Sequence, residues 1–435
     1  MGKRAVSIAV IVALMLLLSG AQFTSLSSAN FFPYPGPDLP RIYIRSDGSV
    51  EPATAPIERT GNIYKLTDNV IRYTIEIQRD NILLDGAGHT IQGNSSWMGY
   101  DAGDNGVLMT GRKNVNITGL NFEGCYACVR VISSSEVNVV GNSFSESNSK
   151  GVVIQGSNSC LVADNTFTGL HTDLNVLTIN VNGTNNIIRN NTLARTTYGI
   201  QIIGSSNLVS DNNIEAILPI MLDRAQSNII ADNRITGLVN QKGNEGISLF
   251  ANCTGNLIFN NSVTGFVNNA VRFVFNADNN TVHGNYFADN EFAVVIQEGA
   301  VNNRFYGNTF AADSCNVSIY ETQRTFWDNG TIGNYWGDYD GVDSNGDGIG
   351  DTPYTLKGYM WDLKAKGFVS APAGQDNYPL MAPYDLENET VVLPQNEPFL
   401  AVLVAIGIAI IIAGVGLLLY HRKRRCKVEQ SWVEL

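Results

Sequence analysis

One short phrase returns along the middle of the chain: NVVGNSF, LVADNTF, IIRNNTL, LVSDNNI, IIADNRI, LIFNNSV, TVHGNYF and RFYGNTF. Its asparagines are Asn142, Asn165, Asn191, Asn212, Asn233, Asn261, Asn285 and Asn308, spaced by 23, 26, 21, 21, 28, 24 and 23 residues. Leu120 holds the same place 22 residues earlier and Asn334 26 residues later. A repeat of this length is a solenoid signature. The units are short β-branched runs punctuated by Asn, Gly and Ser, with no 3.6-residue apolar pattern, so helical repeats are excluded. The mixed Ile, Val, Leu and Phe positions also argue against a leucine-rich repeat. Three short strands and three turns fill one unit. The expected fold is therefore all-β, a right-handed parallel β-helix of roughly 10–11 coils stacked about 4.8 Å apart.

The repeated residues have mechanical roles in such a fold. The asparagine is expected to tolerate left-handed backbone at a tight turn, and its amide to bond to the coils above and below. The residue two later (Phe144, Phe167, Leu193, Ile214, Ile235, Val263, Phe287, Phe310 or Trp336) is always large and apolar, which assigns it to an internal stack.

The two ends suggest a cellular address. Lys3 and Arg4 precede an apolar run and then small residues through Ala29, the pattern of a signal peptide over 1–29. An uncleaved N-terminal anchor is the alternative. Residues 399–420 carry no charge and suffice for one transmembrane helix of about 33 Å. The basic run HRKRRCK follows, so residues 421–435 are expected to be cytoplasmic and everything before 399 extracytoplasmic. Residues 30–398 hold 21 Lys and Arg against 38 Asp and Glu, a net −17. That field disfavours nucleic acid and polyanions as partners and tolerates neutral glycans.

Five cysteines precede the span (Cys125, Cys128, Cys160, Cys253 and Cys315), too scattered for a disulfide framework. The CYAC run fits a local bridge or two buried thiols better than a redox site, and Cys426 beside the membrane could be acylated. Ten Asn-x-Ser/Thr acceptors, among them Asn94, Asn116, Asn182, Asn190, Asn252 and Asn316, make a glycoprotein conceivable, though an asparagine-rich solenoid generates such tripeptides by chance.

Near the end of the repeats, DYDGVDSNGDGIGD packs five aspartates into fourteen residues. From Asp343 the spacing Asp343, Asn345, Asp347, Gly348, Asp351 matches positions 1, 3, 5, 6 and 9 of a calcium loop, with the Ile349 carbonyl at position 7. Tyr354 stands where the bidentate glutamate would be, so Asp338 and Asp340 are candidates for the missing oxygens. A structural Ca²⁺ clamping the open end of the solenoid is expected; a solvated acidic loop is the alternative.

The chain resembles the NosD-like parallel β-helix surface proteins, whose domain is also described as a carbohydrate-binding and sugar-hydrolase (CASH) module. The resemblance covers residues 41–384 and rests on NILLDGAGHTIQG at 81–93, the asparagine repeats, GNYWGDYDGVDSNGDGIGDTPY at 333–354 and DNYPLMAPY at 376–384. It implies an extracytoplasmic role and, in founding members, a link to copper-enzyme maturation. The chain's own residues give copper little support: His89, His171 and His283 stand far apart, without a Met- or Cys-rich run. No polygalacturonase-like order of catalytic carboxylates is present, nor a lyase-like Arg/Lys cluster. Asp164, Asp211, Asp232 and Asp289 read as turn residues, and no catalytic residue is assigned.

The expected organisation is a signal peptide (1–29), an N-terminal cap (30–80), β-helix repeats (81–336), calcium loop and C-terminal cap (337–387), stalk (388–398), membrane helix (399–420) and basic tail (421–435). The expected function is a membrane-anchored surface module binding glycans or cell-envelope components. A polysaccharide lyase or hydrolase, and a metal-enzyme maturation factor, are the alternatives.

Overall fold

The computed structural model describes residues 39–384 except 94–104, 146–149, 169–176, 239–243, 298, 312, 314, 320–323 and 363–366. The signal peptide, stalk, membrane span and basic tail lie outside the described residues. Among the described residues, no helix is long and apolar enough to cross a membrane.

The described chain is a parallel β-solenoid of about ten turns. Each coil contributes a strand to three sheets, and every strand pairs in parallel with its counterpart in the next coil. In the first sheet Leu177–Thr184 pairs Tyr198–Ser205 with Ile179 opposite Ile200, and Ile200 in turn faces Ile220. The second sheet stacks three-residue strands such as Leu208–Ser210 on Ile229–Ala231. The third stacks Ser143–Ser145 on Thr166–Thr168. At the start, Arg41–Ile44 pairs in parallel with Thr74–Ile77, and antiparallel hairpins fold beside it. At the far end an antiparallel hairpin, Tyr354–Asp362 with Gly367–Asp376, covers the first sheet.

Strand alternation sends one row of each sheet inward, and those rows form one continuous apolar core. The expected internal stack is there: Phe144, Phe167, Leu193, Ile214, Ile235, Val263, Phe287, Phe310 and Trp336 are all buried. Their rings stack coil on coil, with centroids 4.9 Å apart for Phe122–Phe144, 4.4 Å for Phe144–Phe167 and 4.3 Å for Phe310–Trp336.

The asparagine needs one correction. Left-handed backbone belongs to the residue before it: Gly141, Asp164, Asn190, Asp211, Asp232, Asn260, Gly284 and Gly307 all have φ between 52° and 68°. That residue makes the turn and swings the asparagine into the core, where water cannot satisfy its amide. The next coil does so instead. Asn212 donates through its backbone N–H and its Nδ2 to Asn233 Oδ1, both at 3.0 Å, and Nδ2 also reaches Ile188 O and Ser210 O. The same pattern runs from Asn142 to Asn334. A second, parallel ladder joins Asn186, Asn207, Asn228, Asn256, Asn280 and Asn303 at the other end of the second sheet.

Candidate functional site

Two regions stand apart from this regular frame: the C-terminal cap with its acidic loop, and the outer face of the first sheet.

The first ladder ends on Asp376. Its Oδ2 accepts from Asn334 N (2.7 Å), Asn334 Nδ2 (3.3 Å) and Trp336 Nε1 (2.9 Å), while Oδ1 accepts from Tyr378 N (3.0 Å). Asp376 has no exposed surface, and burial pushes its carboxyl up to about 6 against the pull of those donors. A Cβ on Gly333 would fall 1.7 Å from Asp376 Oδ1, so GNYW and DNYP are complementary pieces of one cap.

The acidic loop lies on that cap. Gly350 N donates to Pro379 O and Met381 N to Gly348 O. Asp343 Oδ1 accepts from Gly346 N (2.7 Å) and Asp347 N (3.2 Å), and its Oδ2 from Gly348 N (2.9 Å). Asn345 Oδ1 accepts from Asp347 N, Asp347 Oδ1 from Ile349 N and Asp351 Oδ2 from Ser344 N, each at 2.9 Å. The Ser344 bonds hold the Asp351 carboxyl below its usual range. Gly346 and Gly348 take φ of 74° and 84°, the sharp turn expected at position 6. The carboxylates face backbone donors, and among the described residues no three His, Cys, Asp or Glu side chains converge as a metal shell. Asp338 accepts from Tyr354 Oη at 2.7 Å, and Asp340 is exposed. The donor set is all oxygen, the chemistry a hard cation takes.

The first-sheet face has a different distinction. Second-to-third-sheet turns are two residues long in coil after coil, as between Leu208–Ser210 and Asn213–Asp223 or Leu257–Phe259 and Ser262–Thr264. Third-to-first connections vary widely, from continuous strand in Thr192–Ser205 to the long segments before Asn105, Leu177 and Glu245. The acidic loop, between Tyr335–Trp336 and Tyr354–Asp362, is the same connection in the last coil. The largest length variations of the repeat therefore open along one edge of the first sheet, and the first-to-second connections at its other edge range from two residues to seven. On that sheet Arg130, Asn180, Gln201, Met221, Ser248 and Arg272 point outward. Burial, and then the Arg130 charge, hold Lys150 below the usual lysine range.

Of the residues weighed for redox or soft-metal chemistry, Cys125, Cys128, Cys160, Cys253 and His283 are built into the wall, His89 is half-buried, and His171 lies outside the described residues. These four cysteines are buried, Cys128, Cys160 and Cys253 as free thiols, and burial raises Cys160 to about 11 and Cys253 to about 12. Such thiols are poor nucleophiles. His283 lies between the rings of Phe259 and Tyr306, 5.3 and 5.0 Å away, and burial lowers it to about 4. Asp164, Asp211, Asp232 and Asp289 are left-handed turn residues, as expected.

The family described as "Periplasmic copper-binding protein (NosD)" matches the chain over residues 58–172, 87–277 and 268–341. Among curated proteins, the "Probable ABC transporter binding protein NosD" of Stutzerimonas stutzeri is 27% identical over 149 residues, 29% of this chain and 34% of that one. Its counterpart from Pseudomonas aeruginosa is 28% identical over 132 residues, 25% and 31%. The matched segment thus spans about a third of either relative. Similar solved structures include a mutant tailspike protein of E. coli bacteriophage HK620 in complex with pentasaccharide (11% identical, TM-score 0.43, covering 61% of this chain and 64% of that one). Another is a mutant of the periplasmic alginate epimerase AlgG (13% identical, TM-score 0.35, covering 64% and 71%). With matches that run through the asparagine ladders from residue 58 to 341, the chain belongs to the NosD family.

Proposed function

We propose that the protein is an extracytoplasmic β-helix, tethered to the membrane through residues 399–420, that binds glycans or cell-envelope polymers along the outer face of the first sheet. One observation carries this reading: the length-variable connections all border that face, whereas the opposite turns are held to two residues. Loops free to vary on a rigid scaffold are where recognition is placed. The net −17 of residues 30–398 disfavours nucleic acid and favours neutral polymers. A glycan array probed with the protein, run beside a reducing-sugar release assay, tests it. Binding without product release is expected; sustained release would make the protein a lyase or hydrolase. NosD membership favours a second reading, a scaffold in metal-enzyme maturation, which would show as copper-dependent capture of a partner enzyme without glycan binding.

The acidic loop is proposed to take Ca²⁺ through Asp343, Asn345, Asp347, Asp351 and the Ile349 carbonyl. Its support is the ligand spacing, the oxygen-only donor set and the left-handed Gly348. The ion would be structural, holding the loop down on the segment that ends the ladder.

A further inference from the structure

Along the outer row of the first sheet, successive coils place Asn180, Gln201, Met221, Ser248, Arg272, Val295 and Ser318 in one register. The row is neutral through this stretch except at Arg272. Three residues before Ser248 stands Glu245, whose register partner in the next coil is Asn269. Arg272 Nη1 donates to Glu245 Oε1 at 2.5 Å and Nη2 to Gln297 Oε1 at 2.9 Å, while Ser248 Oγ donates to Glu245 Oε2 at 2.8 Å. Glu245 is 7% exposed, although its strand faces outward here, and the Arg272 side chain keeps 23% of its surface. A partly desolvated ion pair on an outer wall is not needed for stacking: among the described residues, Asn269–Phe273 pairs with Phe292–Ile296 without one.

From these contacts we infer that Glu245, Arg272, Ser248 and Gln297 form a subsite for an uncharged sugar, binding a pair of adjacent ring hydroxyls. The inference rests on the glycan reading of this face. Each hydroxyl both donates and accepts. Each Glu245 oxygen takes one of the bonds above and keeps a lone pair, and those bonds use only two of the five Arg272 N–H donors. Acceptor and donor therefore lie side by side, with charges that cancel. An anionic sugar would meet the same carboxylate and gain no net positive partner. The three coils that carry the network extend about 10 Å, room for more than one ring.

An apolar platform borders the network. The Arg272 guanidinium carbon lies 5.8 Å from the Phe250 ring centroid. In the next coil Phe275 is 58% exposed and has φ of 45°, with its carbonyl accepting from Asn252 N at 2.9 Å, two residues beyond Phe250. Left-handed backbone at a bulky residue is strained, and here it leaves an aromatic ring in solvent three residues along the chain from Arg272. Such a ring offers a face to the C–H side of a sugar.

The test is calorimetric titration of the full-length protein in detergent with maltotriose, cellotriose, mannotriose and, as the anionic counterpart, trigalacturonate. At least one neutral trisaccharide should bind at least tenfold more tightly than trigalacturonate. The paired change Glu245→Gln with Arg272→Met should weaken that binding tenfold or more with the melting temperature retained. Phe275→Ala, on an exposed ring, should weaken it at least threefold and decides the matter if the paired variant fails to fold. Neutral-sugar binding untouched by either variant but lost on changing Asn180 and Gln201 would overturn the subsite and leave the glycan face standing. Preference for trigalacturonate would overturn the neutral chemistry. No binding to any of the four would overturn the inference, and the array would then decide whether the broader reading falls with it.

Discussion

Replacing Asp376 by alanine should destabilise the C-terminal cap in a pH-dependent way. Asn334 N, Asn334 Nδ2, Trp336 Nε1 and Tyr378 N all donate to this buried carboxyl. Asn334 Nδ2 keeps Phe305 O and Trp327 O, so three donors are orphaned, and at a low-end cost of about 1 kcal/mol each the truncation costs roughly 3 kcal/mol while the carboxyl is protonated. The folded group titrates at about 6, raised from 3.8 by burial. A raised folded value means that stability is fully present below the unfolded value and is lost as pH rises through about 6. At ~1.36 kcal/mol per pK unit, that loss is about 3 kcal/mol. Asp376→Ala should therefore cost about 3 kcal/mol at pH 4 and close to nothing at pH 7.5. Because a solenoid opens locally, hydrogen exchange of the 333–336 amides is the appropriate measurement. A cost independent of pH, or larger at pH 7.5, would show that the carboxylate is stabilised as an ion and refute the argument.

Gly333→Ala should lower the stability of the same cap, because the new Cβ meets Asp376 at 1.7 Å; an unchanged melting curve would mean the cap relaxes freely. In mid-ladder, Asn233→Ala removes the acceptor of Asn212 N and Nδ2 together with three outgoing bonds. It should cost several kcal/mol, on the order of 1–3 per buried group left unpaired, read by denaturant titration. Calcium at a hundredfold excess over its dissociation constant should add about 2.7 kcal/mol. Asp347→Ala should lose most of that gain and Asp164→Ala none; equal melting temperatures in calcium and chelator would mean the loop is only acidic. Protease applied to intact cells should remove residues 30–398 and spare a tag at Leu435, and digestion of the tag from outside would reverse the topology.

The solenoid was legible because its restraint is repeated: one apolar position and one asparagine per unit must be satisfied by the unit above. The left-handed residue was placed one position late, since Asn is itself a favoured left-handed residue and the sequence does not say which of Asp211 and Asn212 turns and which is buried. The second ladder has its own signal in the sequence. Asn186, Asn207, Asn228, Asn256, Asn280 and Asn303 each stand five residues before a first-ladder asparagine. The Glu245–Arg272 pair, 27 residues apart, could not be found by spacing. Its members meet only through a coil register that a variable connection resets. Asp376 belonged to a motif quoted for resemblance alone, and its partner Asn334 lies 42 residues away.

The way the ladders end also connects the candidate loop to the rod. Each asparagine sends its N–H and Nδ2 forward to the next Oδ1, so the ladder has a direction, and its last member needs an acceptor with nothing to donate onward. A carboxylate is acceptor-only when ionised. Asp376 fills that place after Asn334, and outside the two ladders Asp313 accepts in the same way from Asn290, N at 3.0 Å and Nδ2 at 2.8 Å. Burial raises Asp313 to about 6 as well. The five residues after Asp376 then carry the acidic loop: Leu380 N donates to Asn334 O, Gly350 N to Pro379 O and Met381 N to Gly348 O. An ion that ordered residues 343–351 would therefore be felt at the last rung of the ladder. The stabilising effect of calcium and the pH dependence contributed by Asp376 should accordingly be coupled: in Asp376→Ala the calcium-dependent rise in melting temperature should shrink, because the segment that receives the loop then keeps only the Leu380 N bond to Asn334 O. A rise of the same size in both proteins would show that the loop and the ladder end fold independently.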